Sequence, residues 1–465
     1  MSRAAFRFST ALLVCLLAPL PVAAQMPPDE AWRSIETEHF RITFPEPLET
    51  LARRAGDLAE QAYRKLTAQF REGPPGRIDI VLTDHVDVSN GFARLFPSNR
   101  IVLFARPPAD HPALAYFDDW LELLITHEVA HIFHLDYGGT LGRIFRTLFG
   151  RAETPLTFPG VVVPGWVIEG LATWYESALT DAGRVHGTFH EMVLRTAMLE
   201  GRFESIGQAG GNSPQWPGGT RRYAYGSLFF DYLLDKHGRD RMAAFVEAVV
   251  RPLGQLPLPR LNDAGRRAFG ASLSSEWAAW TDEVRARLGR LDGELAELGP
   301  ISEPEPLTRN ARYGLHPMAS PDGSALIYVR SDGRSYPRLV VMPPDGGGPS
   351  TVTRLNNHTP FDVLPSGEVV FAQRDYTDRY RVFSDLYVTT IEGAVRRVTE
   401  GARLSAPSAA PDGTWTVAVM EGGGTTGLAR VDVEDGSMRT LMAPEAGTYW
   451  ACLLYTSELP TKRIV

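Results

Sequence analysis

His127, Glu128 and His131 are the residues whose types and spacing most directly invite chemistry. They stand in Thr126-His127-Glu128-Val129-Ala130-His131, an H-E-x-x-H. Residues four apart lie on one face of a helix. Both imidazoles can therefore chelate one ion, with Glu128 beside it and facing an open coordination position. Leu121, Ile125, Val129 and Ile132 form an opposite apolar stripe, on a helix predicted from about Tyr116 to Leu135. An H-E-x-x-H also arises by chance in long chains as two satisfied histidines, so the reading needs a third ligand in a fitting context.

Trp166-Val167-Ile168-Glu169-Gly170-Leu171-Ala172-Thr173-Trp174-Tyr175-Glu176 carries W-x-x-E-G-x-A and a second acid. With the first motif, it resembles the third-ligand helix of gluzincin metallopeptidases of the peptidase MA superfamily. The thermolysin-like and aminopeptidase branches are most similar. The resemblance implies one Zn2+ per chain held by His127, His131 and Glu169, with water in the fourth position. Thirty-seven residues separate His131 from Glu169, more than is usual in those branches. A loop inserted over Asp136–Pro164, rich in Gly and Pro, would absorb the difference and points to another gluzincin subfamily. Among competing ligands, His134 reads as a helix-end or supporting residue. His186 and His190 are four apart but have Gly187 and no Glu between them, so they read as a loop or substrate-side pair. No G-x-S-x-G elbow supports serine chemistry.

The expected mechanism follows from that site. Zinc would lower the pKa of its water towards ~7, and Glu128 would accept the water proton and pass it to the leaving amine. An oxyanion donor is also required. Arg222-Tyr223-Ala224-Tyr225-Gly226 opens an apolar helix, and its Y-x-x-G resembles the catalytic-tyrosine segment of gluzincin aminopeptidases. That implies Tyr223 as the carbonyl-stabilising phenol with Tyr225 as the alternative, against the plainer reading of two packing tyrosines. Glu176, two turns after Glu169, would orient a ligand histidine or be an ordinary solvated acid. Asn90–Ala93 and Arg100–Ala105 are the candidate edge strands for pairing with extended substrate. A G-A-M-E-N-type segment is absent, which weighs against an exopeptidase.

The elements that must position these residues span a long chain. Its 465 residues exceed a single core and imply two or three domains. Residues 1–24 read as a secretory signal peptide: Arg3 and Arg7, an apolar Ala11–Ala18, then Val22-Ala23-Ala24. Residues 25–299 form the expected α+β metallopeptidase domain, a small sheet with an active-site helix and a helical lobe. Its predicted strands include His39–Phe44 and Ile78–Leu82, and its helices include Leu48–Leu66, Tyr225–Leu234 and Glu276–Leu288, the last capped by Ser274. Gly299–Pro306 is the linker. Over 300–451 an all-β partial propeller follows. Ser320-Pro321-Asp322-Gly323, Pro365-Ser366-Gly367 and Ala410-Pro411-Asp412-Gly413 have glycines 44 and 46 residues apart, each turn leading into a β-type run. The Pro-Asp-Gly turns resemble the TolB-type propeller repeat. Three units are fewer than the four to eight blades of a closed ring, so the chain reads as truncated or completed by another molecule. Residues 452–465 are suspect as non-native, because Cys452–Ser457 resembles a translated sequencing adapter; Trp450–Thr456 could otherwise begin a fourth blade.

Composition narrows the function classes. The formal charge of −8 leaves no basic footprint for nucleic acid. Two cysteines permit neither a disulfide scaffold nor a cysteine zinc cluster. The expectation is an exported enzyme, periplasmic or secreted, with no membrane span after signal cleavage and a peptide or protein substrate. The propeller would bind a partner or screen substrates. The alternatives are a catalytically weak or inactive peptidase fold serving as a binding protein, and a zinc hydrolase acting on something other than peptides.

Overall fold

The computed structural model describes residue 27 and residues 30–447, apart from 71, 109–111, 115, 153, 251–260, 301–304 and 309–311. The expected signal peptide, the suspect tail and the possible fourth-blade start lie outside the described residues.

The first unit is a five-stranded sheet covered by helices. Strands β1 (Trp32–Glu36), β2 (Phe40–Pro45), β3 (Ile78–Thr83), β4 (Gly91–Arg94) and β5 (Arg100–Phe104) take the order β1-β2-β3-β5-β4. Alternate residues of a strand share a face. Phe40, Ile42 and Phe44, then Ile78, Ile80 and Leu82, then Ile101 and Leu103 therefore form one buried surface. Helix α1 (Glu49–Phe70) carries Ala52, Ala55, Ala59, Ala62 and Leu66 on one side and crosses from β2 to parallel β3. Strand β5 runs parallel to β3, and β4 returns antiparallel at the sheet's edge. Only Asn90–Ala93 of the two candidate segments thus falls on an edge strand. Arg100–Ala105 is paired on both sides.

Helix α2 (Trp120–Asp136) lies against this sheet. It begins later than the apolar pattern suggested, because Asp119 caps it by accepting from the N–H groups of Leu121 and Glu122. It is buried all round, not along one stripe. Three consequences of tertiary packing correct the sequence reading further along. Asp136–Pro164 is not merely a Gly/Pro loop, since it contains helix α3 (Gly139–Phe149). The last long helix is capped by Ser272, not Ser274: the Ser272 hydroxyl accepts from Ser275 N–H. The N-terminal strand β1 had no anticipated counterpart.

The helical lobe follows as α4 (Gly165–Leu179), α5 (Thr188–Leu199), α6 (Arg221–His237), α7 (Arg241–Val250), α8 (Leu261–Phe269) and α9 (Leu273–Glu297). Helices α4 and α6 touch backbone to backbone. A Cβ on Gly170 would lie 2.4 Å from the Gly226 carbonyl carbon, and one on Gly226 would lie 2.2 Å from the Trp166 oxygen. These are the glycines of E-G and Y-x-x-G, so both motifs carry Gly for helix approach. Gly226→Ala should therefore separate the helices and lower stability by about 3 kcal/mol, the upper range for an overpacked core. Urea unfolding would measure this, and a loss below ~1 kcal/mol would contradict so close a contact.

The second unit consists of three antiparallel four-stranded sheets in sequence order. They are β6–β9 within Tyr313–Arg354, β10–β13 within Phe361–Arg397 and β14–β17 within Leu404–Glu445. The three repeated turns join the first and second strands of their sheets. Gly323, Gly367 and Gly413 have φ of 71°, 88° and 74°, where a side chain would be strained. Each donates its N–H back three residues, to Ser320, Leu364 and Ala410. Neighbouring sheets bury Ile327, Val329, Phe361 and Phe371 at one junction and Ala372, Leu386, Leu404 and Ala418 at the next. This half is propeller-like, in agreement with the repeat.

The two units are joined by more than the linker. The strap between β3 and β4 adds to the middle blade: Val86 bridges Val382, Asp87 N–H donates to Val382 O at 3.0 Å and Val382 N–H to His85 O at 2.9 Å. Arg403 clamps Asp84 at 2.6 and 2.7 Å and Asp87 at 2.6 Å. Asp87, fully buried, also accepts from Ser384 N–H. Arg106 pairs with buried Glu421 next to it.

Candidate metal centre

Helix α2 supplies His127, Glu128 and His131, and α4 supplies Glu169. His127 Nε2 lies 3.1 Å from His131 Nε2 and 3.7 Å from Glu169 Oε2, and His131 Nε2 lies 3.4 Å from the same oxygen. A tetrahedral ion with bonds of about 2.0–2.2 Å holds its ligands roughly 3.3–3.5 Å apart. The three atoms thus fit one zinc ion.

The atoms behind them aim the ligands. His127 Nδ1 is 2.8 Å from Glu176 Oε2. A carboxylate can only accept, so Nδ1 carries a proton and Nε2 is the nitrogen directed towards His131 and Glu169. Glu176 is fully buried, and Arg184 holds it with two bonds of 2.7 Å. Burial alone would raise this carboxyl, but the Arg184 guanidinium overcomes it and holds Glu176 at about 2. Glu169 is held well below the ordinary range: burial opposes ionisation, and hydrogen bonding to His127 and His131 prevails. Burial likewise works against charge on His127, yet Glu169 and Glu176 raise it to about 9.

Glu128 differs from these acids. It is buried, but its Oε2 finds no hydrogen-bond partner among the described residues. Burial raises its pKa despite the neighbouring histidines. Its other oxygen rests against Gly91, so the acid lies between the histidines and β4. All four groups line a cleft of about 640 Å³ walled by Asn90–Ala93 on one side and by Arg184, His190 and Tyr223 on the other.

The two tyrosines separate. Tyr223 lines the cleft, its ring 6.5 Å from His127 and 4.9 Å from the Arg184 guanidinium. Burial raises its phenol to about 12. Tyr225 is fully buried elsewhere, stacked on Trp277, with its hydroxyl accepting from Glu204 N–H at 3.2 Å. His134 is the helix-end residue of the two readings, in the last turn of α2, and makes no hydrogen bond to the centre. It is buried, held at about 3 by burial, with neither nitrogen partnered among the described residues. The His186/His190 pair is divided: exposed His186 meets Ser177 O at 3.1 Å, whereas buried His190 lines the cleft. Sequence reasoning missed Arg184, because nothing local distinguishes it from any other arginine.

Among the described residues, a second grouping of Glu38, His39 and Glu60 has metal-ligand proximity. There the Glu60 carboxylate already accepts from Thr37 and the His39 backbone, so the group is a local hydrogen-bond knot.

No protein-family model matches the chain, and no curated protein does. Solved structures similar to part of it are β-propeller proteins. A TolB from Agrobacterium tumefaciens shares 23% identity at a TM-score of 0.27, over 31% of this chain and 51% of that one. For TolB from Acinetobacter baumannii the values are 20%, 0.26, 30% and 35%. For the β-propeller domain of the Trilobed protease from Pyrococcus furiosus they are 16%, 0.23, 28% and 43%. The chain thus spans about half or less of each matched structure. The blade architecture rests on its own strand order and packing. No described helix is long and apolar enough to cross a membrane.

Proposed function

We propose that this chain is an exported zinc-dependent metallopeptidase of the gluzincin type that hydrolyses peptide bonds. The observation that carries the reading is the convergence of His127, His131 and Glu169 on one point of a cleft that Glu128 also lines, with its buried Oε2 unpartnered among the described residues. When bound there, zinc supplies Lewis acidity, polarising the scissile carbonyl and acidifying water.

The chain's own groups do the rest. Glu128 takes one proton from the attacking water and delivers it to the departing amine, so one peptide bond and one water become a carboxylic acid and an amine. Its raised affinity for protons suits that shuttle. Tyr223 remains a phenol at neutral pH and donates to the developing oxyanion. Arg184 and Glu176 hold His127 in one tautomer. Gly91–Ala93 offers the free edge of β4 to an extended substrate. The propeller, bonded to the strap that leads into β4, would restrict what approaches it.

Metal analysis of purified protein should find about one zinc per chain, as a three-ligand site requires. A peptide-library digest should show cleavage that a chelator abolishes and added zinc restores. Metal bound without cleavage would shift the reading to a binding protein built on a peptidase fold. Tyr223→Phe should keep the metal and lower kcat by roughly 10²-fold, the usual worth of one oxyanion donor, while Tyr225→Phe should act only on stability. Equal turnover of wild type and Tyr223→Phe would remove that phenol from the reaction.

A further inference from the structure

Helix α3 inverts the ordinary arrangement of a surface helix. Such a helix turns its apolar stripe to the core and its charges to water. In α3 only Gly142 is buried. A Cβ there would lie 3.1 Å from Thr157 O, so the glycine side faces the body of the protein. Arg146 fastens the same helix inward, donating to Thr157 O and Asp136 O at 2.7 Å each. The apolar residues Leu141, Ile144, Phe145, Leu148 and Phe149 follow i, i+3, i+4, i+7, i+8 spacing and form one stripe. Leu148 is 67% and Phe149 68% exposed. Phe96, 51% exposed, sits on the β4–β5 turn, which Arg151 ties to this region through Leu95 O.

The charge around the stripe has the opposite sign to the chain as a whole. Between Asp136 and Glu153 there are three arginines and no acid, and Arg94 and Arg100 flank the Phe96 turn. Against these five cations stand four acids: Asp136, which pairs with Arg146 and Arg151, Glu72, which pairs with Arg143, Asp79, which bonds Ser98 of the Phe96 turn, and Glu153, next in the chain. The face keeps a positive excess in a chain of net charge −8.

We infer that α3 is an interfacial anchor that lies in the headgroup region of a bilayer containing anionic lipid. Its 11 residues are too few to span a membrane, which takes about 20. An exposed stripe of Ile, Leu and Phe flanked by arginines is what an in-plane helix presents to lipid. A second copy of the chain fits less well, because a symmetric pairing would bring the arginines of this face against themselves. The inference is independent of zinc and of hydrolysis.

Flotation of the full chain with vesicles tests it. Wild type should float with phosphatidylcholine vesicles containing roughly a third phosphatidylglycerol and release as salt is raised. Pure phosphatidylcholine vesicles should retain much less. Replacing two exposed side chains together, Leu148→Ser with Phe149→Ser, should cut the bound fraction at least tenfold or so. Melting temperature should change little, since both side chains are about two-thirds exposed and Phe149 stacks on Phe145 of the same stripe. Arg143→Glu should weaken binding to the anionic vesicles selectively. Wild type that floats with neither vesicle, or a double variant that binds as well as wild type, would overturn the anchor. So would a wild-type dimer that the double variant dissociates while no vesicle is bound, which would assign the face to a second copy.

Discussion

Glu128→Gln should leave the chain folded and able to hold zinc, yet cost about 10²–10⁴-fold in peptide hydrolysis, the range for a lost general base. Glutamine keeps the shape that rests on Gly91 but cannot take up the water proton. Glu128 is also absent from the three atoms that converge, so metal content should not change. The discriminating measurement combines metal analysis with the rate of peptide cleavage on the same preparation. A rate within tenfold of wild type would falsify the base assignment. Loss of zinc together with rate would instead mean that Glu128 is a ligand. The prediction separates chemistry from folding, because Glu128 already lacks a partner for one oxygen and the substitution breaks no hydrogen bond there.

Arg403→Ala should be the most destabilising single change at the junction of the two units. Arg403 bonds Asp84 and Asp87 together, and Asp87 has no exposure to solvent. Removing one partner of a buried pair leaves the other charged and dry, which costs about 3–5 kcal/mol. Lysine should not rescue it, since one ammonium cannot reproduce the planar fork that reaches both carboxylates. Calorimetry would read the loss, and a change below ~1 kcal/mol would place the cluster with ordinary exposed pairs. A second effect is expected on function. The strap that Arg403 holds runs straight into β4, so cleavage by Arg403→Ala should show a raised KM at temperatures where the protein remains folded.

The parts of this structure that were legible in the sequence are those encoded locally. His127 and His131 share a face because four residues are about one turn. Glu176 reaches back to His127 because seven residues are about two turns from Glu169. The three Pro-Asp-Gly or Pro-Ser-Gly turns announced their blades because glycine takes the positive φ they adopt without strain. What stayed hidden depends on distant packing. Tyr223 and Tyr225 are two residues apart, so they point about 200° apart around one helix. Nothing local says which side meets the cleft. Arg184 acquires its role only once α4 brings Glu176 beside it. The pairing of Asp87 with Arg403 joins residues 316 apart. Helix α3 was different, since its apolar spacing was present and was masked by the surrounding Gly and Pro residues.

The glycine contact between α4 and α6 also says which side of the cleft can move. With no side chains between the two backbones, neither helix can slide or tilt without a collision. Glu169 and Tyr223 therefore ride on one stiff jaw, at a separation fixed by main-chain contact. The opposite jaw is a four-residue edge strand bonded to β5, and the strap that leads into it is bonded to a propeller blade. If the cleft admits substrate as proposed, the side left to yield is that strand. The blade would then bear on its movement through the strap that leads into it.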